Sequence, residues 1–531
     1  MKKCFALFLC LSLLAGCGNT AVPDPTTPPI RSEAAVSGET MILLSDEGIA
    51  VNGGGETKQV FTSRDIIYYE DRDAYNSGNP YGEGEAWERH SAGEAEAHTV
   101  VNITAPGTYR VSGRLSAGQL RIDLGKDADE DPDAVVTLIL ENADITCTVA
   151  PAILFLNTYE CDGNWSVDTA TASVDTSSAG ANLILEGTNV VRGSHVAKIF
   201  KDKDGEKKLW KQDGAIYAYM SMNVSGSGSL HLTADNEGIG TELHLTINGG
   251  NIRIDSDNDG INTNEDGVSV TTINGGSLQI NAGLGAEGDG IDSNGYLVIN
   301  GGTVISAAKP VSDAGLDSSM GSFVNGGTVI ALGAAMDWAE SESGQVTLNL
   351  QFADRQEAGT PVEVRDLQGN VVFSWKPEYE EGMTRGFQGI ILSSPDLKQG
   401  ETYLLYAGGV QMQYTGSDVG FGPPAMGGKP GGEQPPIPGE LNGPMPDDFD
   451  PGSFTPPEDG NFPDGEIPEG GFGGRQGMTG KIPEPKDGMA PPPVPEGGMP
   501  SDRPPQDGNG STEFYMADMV NAFSGLAPAQ M

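Results

Sequence analysis

Ile247-Asn248-Gly249-Gly250-Asn251-Ile252-Arg253-Ile254 carries the signature of the fold. Its first four residues return as Ile273-Asn274-Gly275-Gly276, as Ile299-Asn300-Gly301-Gly302 and as Val324-Asn325-Gly326-Gly327, at steps of 26, 26 and 25 residues. An alternating run such as Thr303-Val304-Ile305-Ser306 follows each return, the period of a strand with one buried face. A second, phase-locked element precedes each one: Asp213-Gly214-Ala215-Ile216 opens the series, then come Glu237-Gly238-Ile239, Asp259-Gly260-Ile261, Asp289-Gly290-Ile291 and the looser Asp313-Ala314-Gly315-Leu316. A repeat of this length, built from short strands with glycine-marked corners, is one coil of a parallel β-helix. Such a coil cannot bury its apolar face alone, so neighbours must stack in register, with the glycines expected to supply positive φ at the corners. The expected fold class is all-β: a right-handed parallel β-helix over 41–333, a small C-terminal β element over 334–415, and a disordered Gly/Pro/Met-rich tail over 416–531.

Upstream of the repeats, Thr108-Tyr109-Arg110-Val111-Ser112, Gln119 to Leu124, Val135 to Leu140, Ala152 to Leu156 and Asn182 to Leu185 are further short β-rich runs, and nothing there has a helical period. The globular region is expected to begin near Phe61. Downstream, Gln345 to Phe352, Pro361 to Arg365, Val371 to Trp375 and Tyr403 to Tyr406 read as strands, with Asp366-Leu367-Gln368-Gly369-Asn370 as a hairpin turn, an element able to cap the open end of the helix. Beyond Gly416 there are too few apolar residues to offset ordering entropy, apart from a short apolar stretch from Phe514 to Leu526.

At the other end, Lys2 and Lys3 precede an apolar run from Phe5 to Ala15 and then Gly16-Cys17. This is the pattern of an export signal, too short to span a bilayer, and Leu14-Ala15-Gly16-Cys17 fits a bacterial lipobox. The expectation is a signal peptide over 1–16, lipidation of Cys17, a tether over 17–40 with Pro23, Pro25, Pro28 and Pro29, and a lipid anchor in the membrane at the bacterial cell surface. Only Cys147 and Cys161 would then remain in an oxidising compartment, where a disulfide and two buried thiols are both open. The formal net charge of −45 repels phosphate backbones, anionic lipids and uronate polymers unless a divalent cation intervenes, so nucleic acid is not an expected partner. The chain is expected to be a monomer.

Asp255-Ser256-Asp257-Asn258-Asp259-Gly260 with Asp266 matches the D-x-D-x-D-G calcium loop, although strand-like flanks exclude an EF-hand. Stacking would place Glu237, Asp259, Asp289 and Asp313 at related corners, where a bound cation relieves their repulsion, with Asp235, Glu287 and Asp292 as nearby oxygens. The expected metal ligands are Asp255, Asp257, Asp259, Asp266, Glu237, Asp289 and Asp292, and the expected cofactor is calcium (Ca2+). Tyr217, Tyr219 and Tyr296 are candidate platforms for sugar rings, with burial as the competing fate. Elimination on a uronate needs a base beside a calcium ion, and His231, His244, Arg253 and Lys309 are the available groups; hydrolysis needs paired carboxyls. Arg253 alternates with Ile252 and Ile254 and is expected to point outward, and neither histidine has the setting that polygalacturonases show.

The run Thr108 to Gly113 with Gly118-Gln119, then Val136-Thr137-Leu138-Ile139-Leu140-Glu141-Asn142, resembles the opening coils of the clostridial carbohydrate-binding parallel β-helix family. The Asp-Gly-Ile and Asn-Gly-Gly coils, Ser393 to Tyr403 and the Gly/Pro/Met-rich tail are similar as well. The resemblance covers roughly residues 60 to 415. It implies a right-handed β-helix shaped like pectate lyases, bound calcium, and binding of cellulose or acidic plant polysaccharide without established catalysis. Position by position it supports the acid-bearing corners, with Asp257, Asp259 and Asp289 foremost. The chain departs from the pattern at Asp313-Ala314-Gly315-Leu316 and in the charged insertion Lys201 to Lys211. The resulting expectation is calcium-dependent, non-catalytic polysaccharide binding, with a uronate-active lyase or hydrolase as the alternative and a rigid envelope spacer as a third.

Overall fold

The computed structural model describes residues 38–70, 88–199, 210–310, 312–334, 337–377, 386–418 and 510–529. The expected signal peptide, Cys17, nearly all of the tether, most of the charged insertion and the central part of the tail lie outside the described residues.

The protein is all-β with large sheets, and the repeats set their register. The run after each Asn-Gly-Gly pairs in parallel with its counterpart one repeat later: Ile252 with Leu278, Leu278 with Val304, and Val304 with Val329. The strand leading into each Asn-Gly-Gly does the same, Ile247 with Ile273, then Ile299, then Val324. A third parallel series joins Ile216, Ile239, Ile261, Ile291 and Leu316. Each column of branched apolar side chains is thereby stacked on itself, and all of these residues are essentially inaccessible to solvent. A polar substitution within a column would strand its group between two apolar neighbours about 4.8 Å away on either side.

Two kinds of glycine punctuate the repeat, for different reasons. The second glycine of each Asn-Gly-Gly has positive φ, from +82° at Gly302 to +101° at Gly250, as the corner expectation requires. The glycines of the Asp-Gly-Ile element do not. A Cβ on Gly238 would lie 2.4 Å from the Gly260 carbonyl oxygen, one on Gly260 2.5 Å from that of Gly290, and one on Gly290 2.4 Å from that of Gly315. These residues are glycine because the next strand passes too close for a side chain. The asparagines form a further ladder, in which the Nδ2 groups of Asn274, Asn300 and Asn325 donate to the Oδ1 of the preceding asparagine at 2.9–3.0 Å.

The structure departs from expectation in three places. The β structure starts at Thr40–Ser45, which pairs in parallel with the strand that holds Tyr109, well before Phe61. Ala92–Ala97 is a short helix held by a capping box, in which Ser91 Oγ accepts from the Glu94 amide and the Glu94 carboxylate accepts from the Ser91 amide. The disordered tail expected over 416–531 does not hold at its end. Val520–Pro528 pairs in parallel with Thr347–Gln356, and Phe514–Tyr515 pairs with Thr402–Ala407. Phe514, Met516, Phe523 and Leu526 are buried there, with Tyr414, Phe514 and Phe523 in mutual ring contact. Burial of these apolar side chains offsets the entropy of ordering a segment so far along the chain.

The exposed edge of the last parallel strand, Thr328–Gly333, is taken up by antiparallel pairing with Phe387–Ser393. Beside it, Val362–Asp366 and Val371–Trp375 form a hairpin whose turn is held by Asp366 Oδ1, which accepts from the Gln368 and Asn370 amides, with Gly369 at φ +85°. The hairpin places Trp375 beside the parallel strands.

Candidate functional site

Two sets of side chains on the stacked strands are candidates for a functional site. The first is the row of acids. Because Ile239, Ile261 and Ile291 are in register, the residues two positions before them, Glu237, Asp259 and Asp289, also stack. Asn262, Asp292 and Asp317, each one position after Ile261, Ile291 and Leu316, stack as well. Glu237, Asp259, Asn262 and Asp292 are buried, and Asp289 is half-buried. Asn262 Nδ2 donates to Glu237 Oε1 at 2.8 Å and reaches Asp259 Oδ2 at 3.4 Å, and the Asp289 amide donates to Asp259 Oδ1 at 2.8 Å. Lys211 brings a cation to this row, its Nζ 2.9 Å from Asp213 and 3.8 Å from Glu237.

This supply of donors is too small. Glu237 Oε2 and Asn262 Oδ1 are buried with no hydrogen-bond partner among the described residues. Each orphaned acceptor costs about 1–3 kcal/mol. Burial first, and then the neighbouring acids, push Glu237 up to about 7 despite the pull of Lys211, and Asp289 up to about 8. Asp259 is raised well above the carboxylate range for the same reasons. The row therefore holds either protons or a compensating cation.

The expected calcium loop does not assemble. Asp255 is taken up by Arg253 Nε at 2.9 Å, His231 Nε2 at 2.8 Å and Asn281 Nδ2 at 2.7 Å, while Asp257 and Asp266 are exposed and Asp259 turns inward. The strand ends at Ser256, and the corner beyond it separates carboxylates that a continuous loop would have converged. Among the described residues, no three His, Cys, Asp or Glu side chains stand close enough to hold a metal ion as they are. The oxygen-only donor set around Glu237, Asp259, Asn262 and Asp292 has the hard chemistry that calcium takes, and its orphaned oxygens fit such an ion better than the loop does.

Two of the three proposed tyrosine platforms are excluded by burial. Tyr217 and Tyr219 lie edge to face at 5.5 Å in the interior, and the Tyr217 hydroxyl donates to Glu242. Tyr217 fits because it packs over Gly240, where a Cβ would lie 2.8 Å from its ring. Tyr296 is half-buried beside Phe323. Cys147 and Cys161 are free thiols, so the disulfide is absent: Cys147 is packed in the apolar interior, whereas Cys161 lines a surface cavity with His244. Burial pushes the Cys147 thiol up to about 12. His244 accepts from the Val270 amide at Nδ1 and contacts Asp162 at Nε2, and its side chain is buried.

The second set lies on the outward face of the post-glycine strands. Ser229, Asn251, Ser277, Thr303 and Thr328 form one in-register column, and His231, Arg253 and Gln279 form the next before it turns apolar at Ile305 and Ile330. The first column is exposed at Asn251, Ser277 and Thr303 and half-buried at its two ends, Ser229 and Thr328. Lys211, Asn262 and Asp317 were not singled out in the sequence. Asn262 and Asp317 carried a signal, since each follows an Asp-Gly-Ile or Gly-Leu element directly.

A family model described as carbohydrate-binding domain-containing protein matches residues 97–348. A protein of Acetivibrio thermocellus with the same description is 28% identical over 155 residues, which cover 29% of this chain and 44% of that protein. The chain thus spans less than half the length of this relative. A solved structure described as the polysaccharide lyase-like protein from C. thermocellum, gadolinium derivative, is 21% identical, with 54% of this chain and 92% of that one covered at a TM-score of 0.33. The stretch similar to this family model takes in the upstream strands from Thr99 and the whole repeat series.

Proposed function

We propose that this protein is a non-catalytic polysaccharide-binding module built on a right-handed parallel β-helix, anchored at the bacterial cell surface through a lipid on Cys17, with calcium held by the buried acid row. The observation that carries the reading is the in-register column Ser229, Asn251, Ser277, Thr303 and Thr328, exposed at its three central residues, whose short polar groups repeat at one spacing. An extended glycan has a comparable periodicity of hydroxyls, and a pre-formed face binds it with little ordering of the protein. Acidic pectin-type chains and cellulosic chains are the two ligand classes. An acidic chain would reach this strongly anionic protein across calcium.

The ligands proposed for calcium are Glu237, Asp259, Asn262 and Asp292, with Asp289 at the next corner. When bound, the ion would supply the charge compensation that Lys211 alone does not. Binding is favoured over uronate elimination because the candidate bases are engaged, His231 and Arg253 with Asp255, His244 with Asp162 and Lys309 with the Gly285 and Ala286 carbonyls, and Lys211, which the fold adds to them, is held by Asp213. An ammonium held charged by burial-opposing acids is a poor proton acceptor.

The test is affinity electrophoresis of the soluble chain from Gly18 to Met531 through gels that contain polygalacturonate or a soluble glucan, with calcium or with chelator. The whole C-terminus is kept because Val520–Pro528 is part of the sheet. Retardation in polygalacturonate with calcium alone is the expected result. Retardation by the glucan regardless of calcium would move the ligand to the neutral class, and free migration in every gel would end the carbohydrate reading.

A further inference from the structure

A cavity of about 260 Å³ lies where the C-terminal hairpin meets the outward face of the parallel strands. Its floor spans successive strands: Gln279 and Asn281 on one, Ile305 and Ala307 on the next, and Leu332 on the last. Trp375, Lys376 and Pro377 form its wall. The cavity is separate from the acid row, which is set in the sheet of Ile239, Ile261 and Ile291.

Three features give this cavity a chemistry. Trp375 packs against the C-terminal apolar cluster on one side yet remains half-exposed on the cavity side, although a hairpin edge could have held a polar residue there. Gln279 is half-buried and lines the cavity, and its amide makes no hydrogen bond to another described residue, which leaves its donors and acceptor available to a ligand. The floor changes from amide to aliphatic across one strand spacing, about 4.8 Å, which is within the breadth of a single sugar ring.

We propose that this cavity is a binding subsite for one pyranose ring of a polysaccharide, with the ring's C–H face stacked on the Trp375 indole and its hydroxyls hydrogen-bonded by Gln279. The proposal rests on the carbohydrate-binding reading above and deepens it by locating a ring position. A pyranose has one apolar face and a polar rim, and the cavity matches both: indole and Ile305 take the C–H groups, and the Gln279 amide takes the rim. Indole is rigid, so little entropy is lost on stacking, and the apolar area it leaves in water is covered on binding. From this position the chain would run along the strand faces past Gln279 toward Arg253 and His231, which occupy the same column. Lys376 at the rim adds a cation where most of the surface is acidic. The hairpin thereby does more than close the ladder, since it converts a flat face into a walled groove with a defined end.

The test titrates the soluble chain from Gly18 to Met531 with a cello-oligosaccharide and, separately, with a galacturonate oligosaccharide in calcium, by calorimetry. The proposal expects Trp375→Ala to weaken binding roughly tenfold or more, and Trp375→Phe, which keeps a stacking face, to lose far less. Gln279→Ala should weaken binding by about threefold to tenfold. Melting temperatures of the three variants are measured alongside; Trp375→Phe and Gln279→Ala keep the test decisive if Trp375→Ala fails to fold. Parent-like affinity in all folded variants would overturn the subsite while leaving the carbohydrate reading intact. Absence of binding by the parent chain to either sugar would overturn both. The arm that responds identifies the neutral or the acidic source of the ring.

Discussion

Replacing Gly290 with alanine is expected to destabilise the protein by about 3 kcal/mol or more, a large effect for one methyl group. The added Cβ would lie 1.9 Å from Ser306 Oγ and 2.4 Å from the Gly315 carbonyl oxygen. The serine could rotate, but the Gly315 carbonyl accepts from the Ile291 amide just before the neighbouring strand Leu316–Ser318 and cannot move without opening the stack. Denaturant unfolding followed by far-UV circular dichroism measures the difference. Gly400→Ala is the informative control, because Gly400 has φ +83° and open space around it. Its substitution should cost only the left-handed backbone penalty, about 1–2 kcal/mol. If Gly290→Ala lost no more stability than Gly400→Ala, close approach of the neighbouring repeat would not explain the Asp-Gly-Ile glycine.

The second large effect concerns the acid row. Glu237 and Asp289 bind their protons more tightly in the folded chain, at about 7 and about 8, than carboxylates do when unfolded. Between roughly pH 4 and pH 8 the folded state therefore carries the extra protons, so stability should fall as pH rises through that window. In chelator, the melting temperature is expected to drop on the order of 10 °C from pH 5 to pH 8. Calcium at pH 8 should restore most of it, because a divalent ion offsets the charges that deprotonation exposes. Glu237→Gln with Asp259→Asn removes the buried repulsion, so that variant should melt higher than the parent in chelator at pH 8 and ignore calcium. A parent protein whose melting temperature at pH 8 does not respond to calcium would sink the assignment of the ion to this row. A flat pH profile in chelator would sink the buried-acid account itself.

The fate of the individual acids follows from rules that no local motif encodes. Asp255, Asp257 and Asp259 are spaced as a calcium loop, yet they diverge because a strand ends between them and because Asp255 meets His231 from the previous repeat and Asn281 from the next. Glu237 and Asp292 lie far apart in sequence and share one buried row because Ile239, Ile261 and Ile291 stack. The same logic moved Tyr217 inside. Its neighbour in the next strand is Gly240, and the space that glycine leaves is filled by the ring.

The repeat length, strand period and corner glycines were readable in the chain because they are local: alternation defines a face, and the second glycine of Asn-Gly-Gly marks a positive φ wherever it occurs. The capping box at Ser91 and Glu94 was equally local and was legible in principle. Contacts between repeats and between distant segments were not. Phe514 to Leu526 had an apolar composition but no pattern to name its partner, and Thr347–Gln356 became that partner through burial of side chains separated by more than a hundred residues. Trp375 read only as the end of a strand, and its place as a cavity wall arises where the hairpin packs beside Gln279 and Ile305. Periodicity establishes which face of each strand is apolar. Which polar groups share a buried row, and which aromatic remains at the surface, depends on the register of stacked strands, where neighbours about 4.8 Å apart in space are a whole repeat apart along the chain.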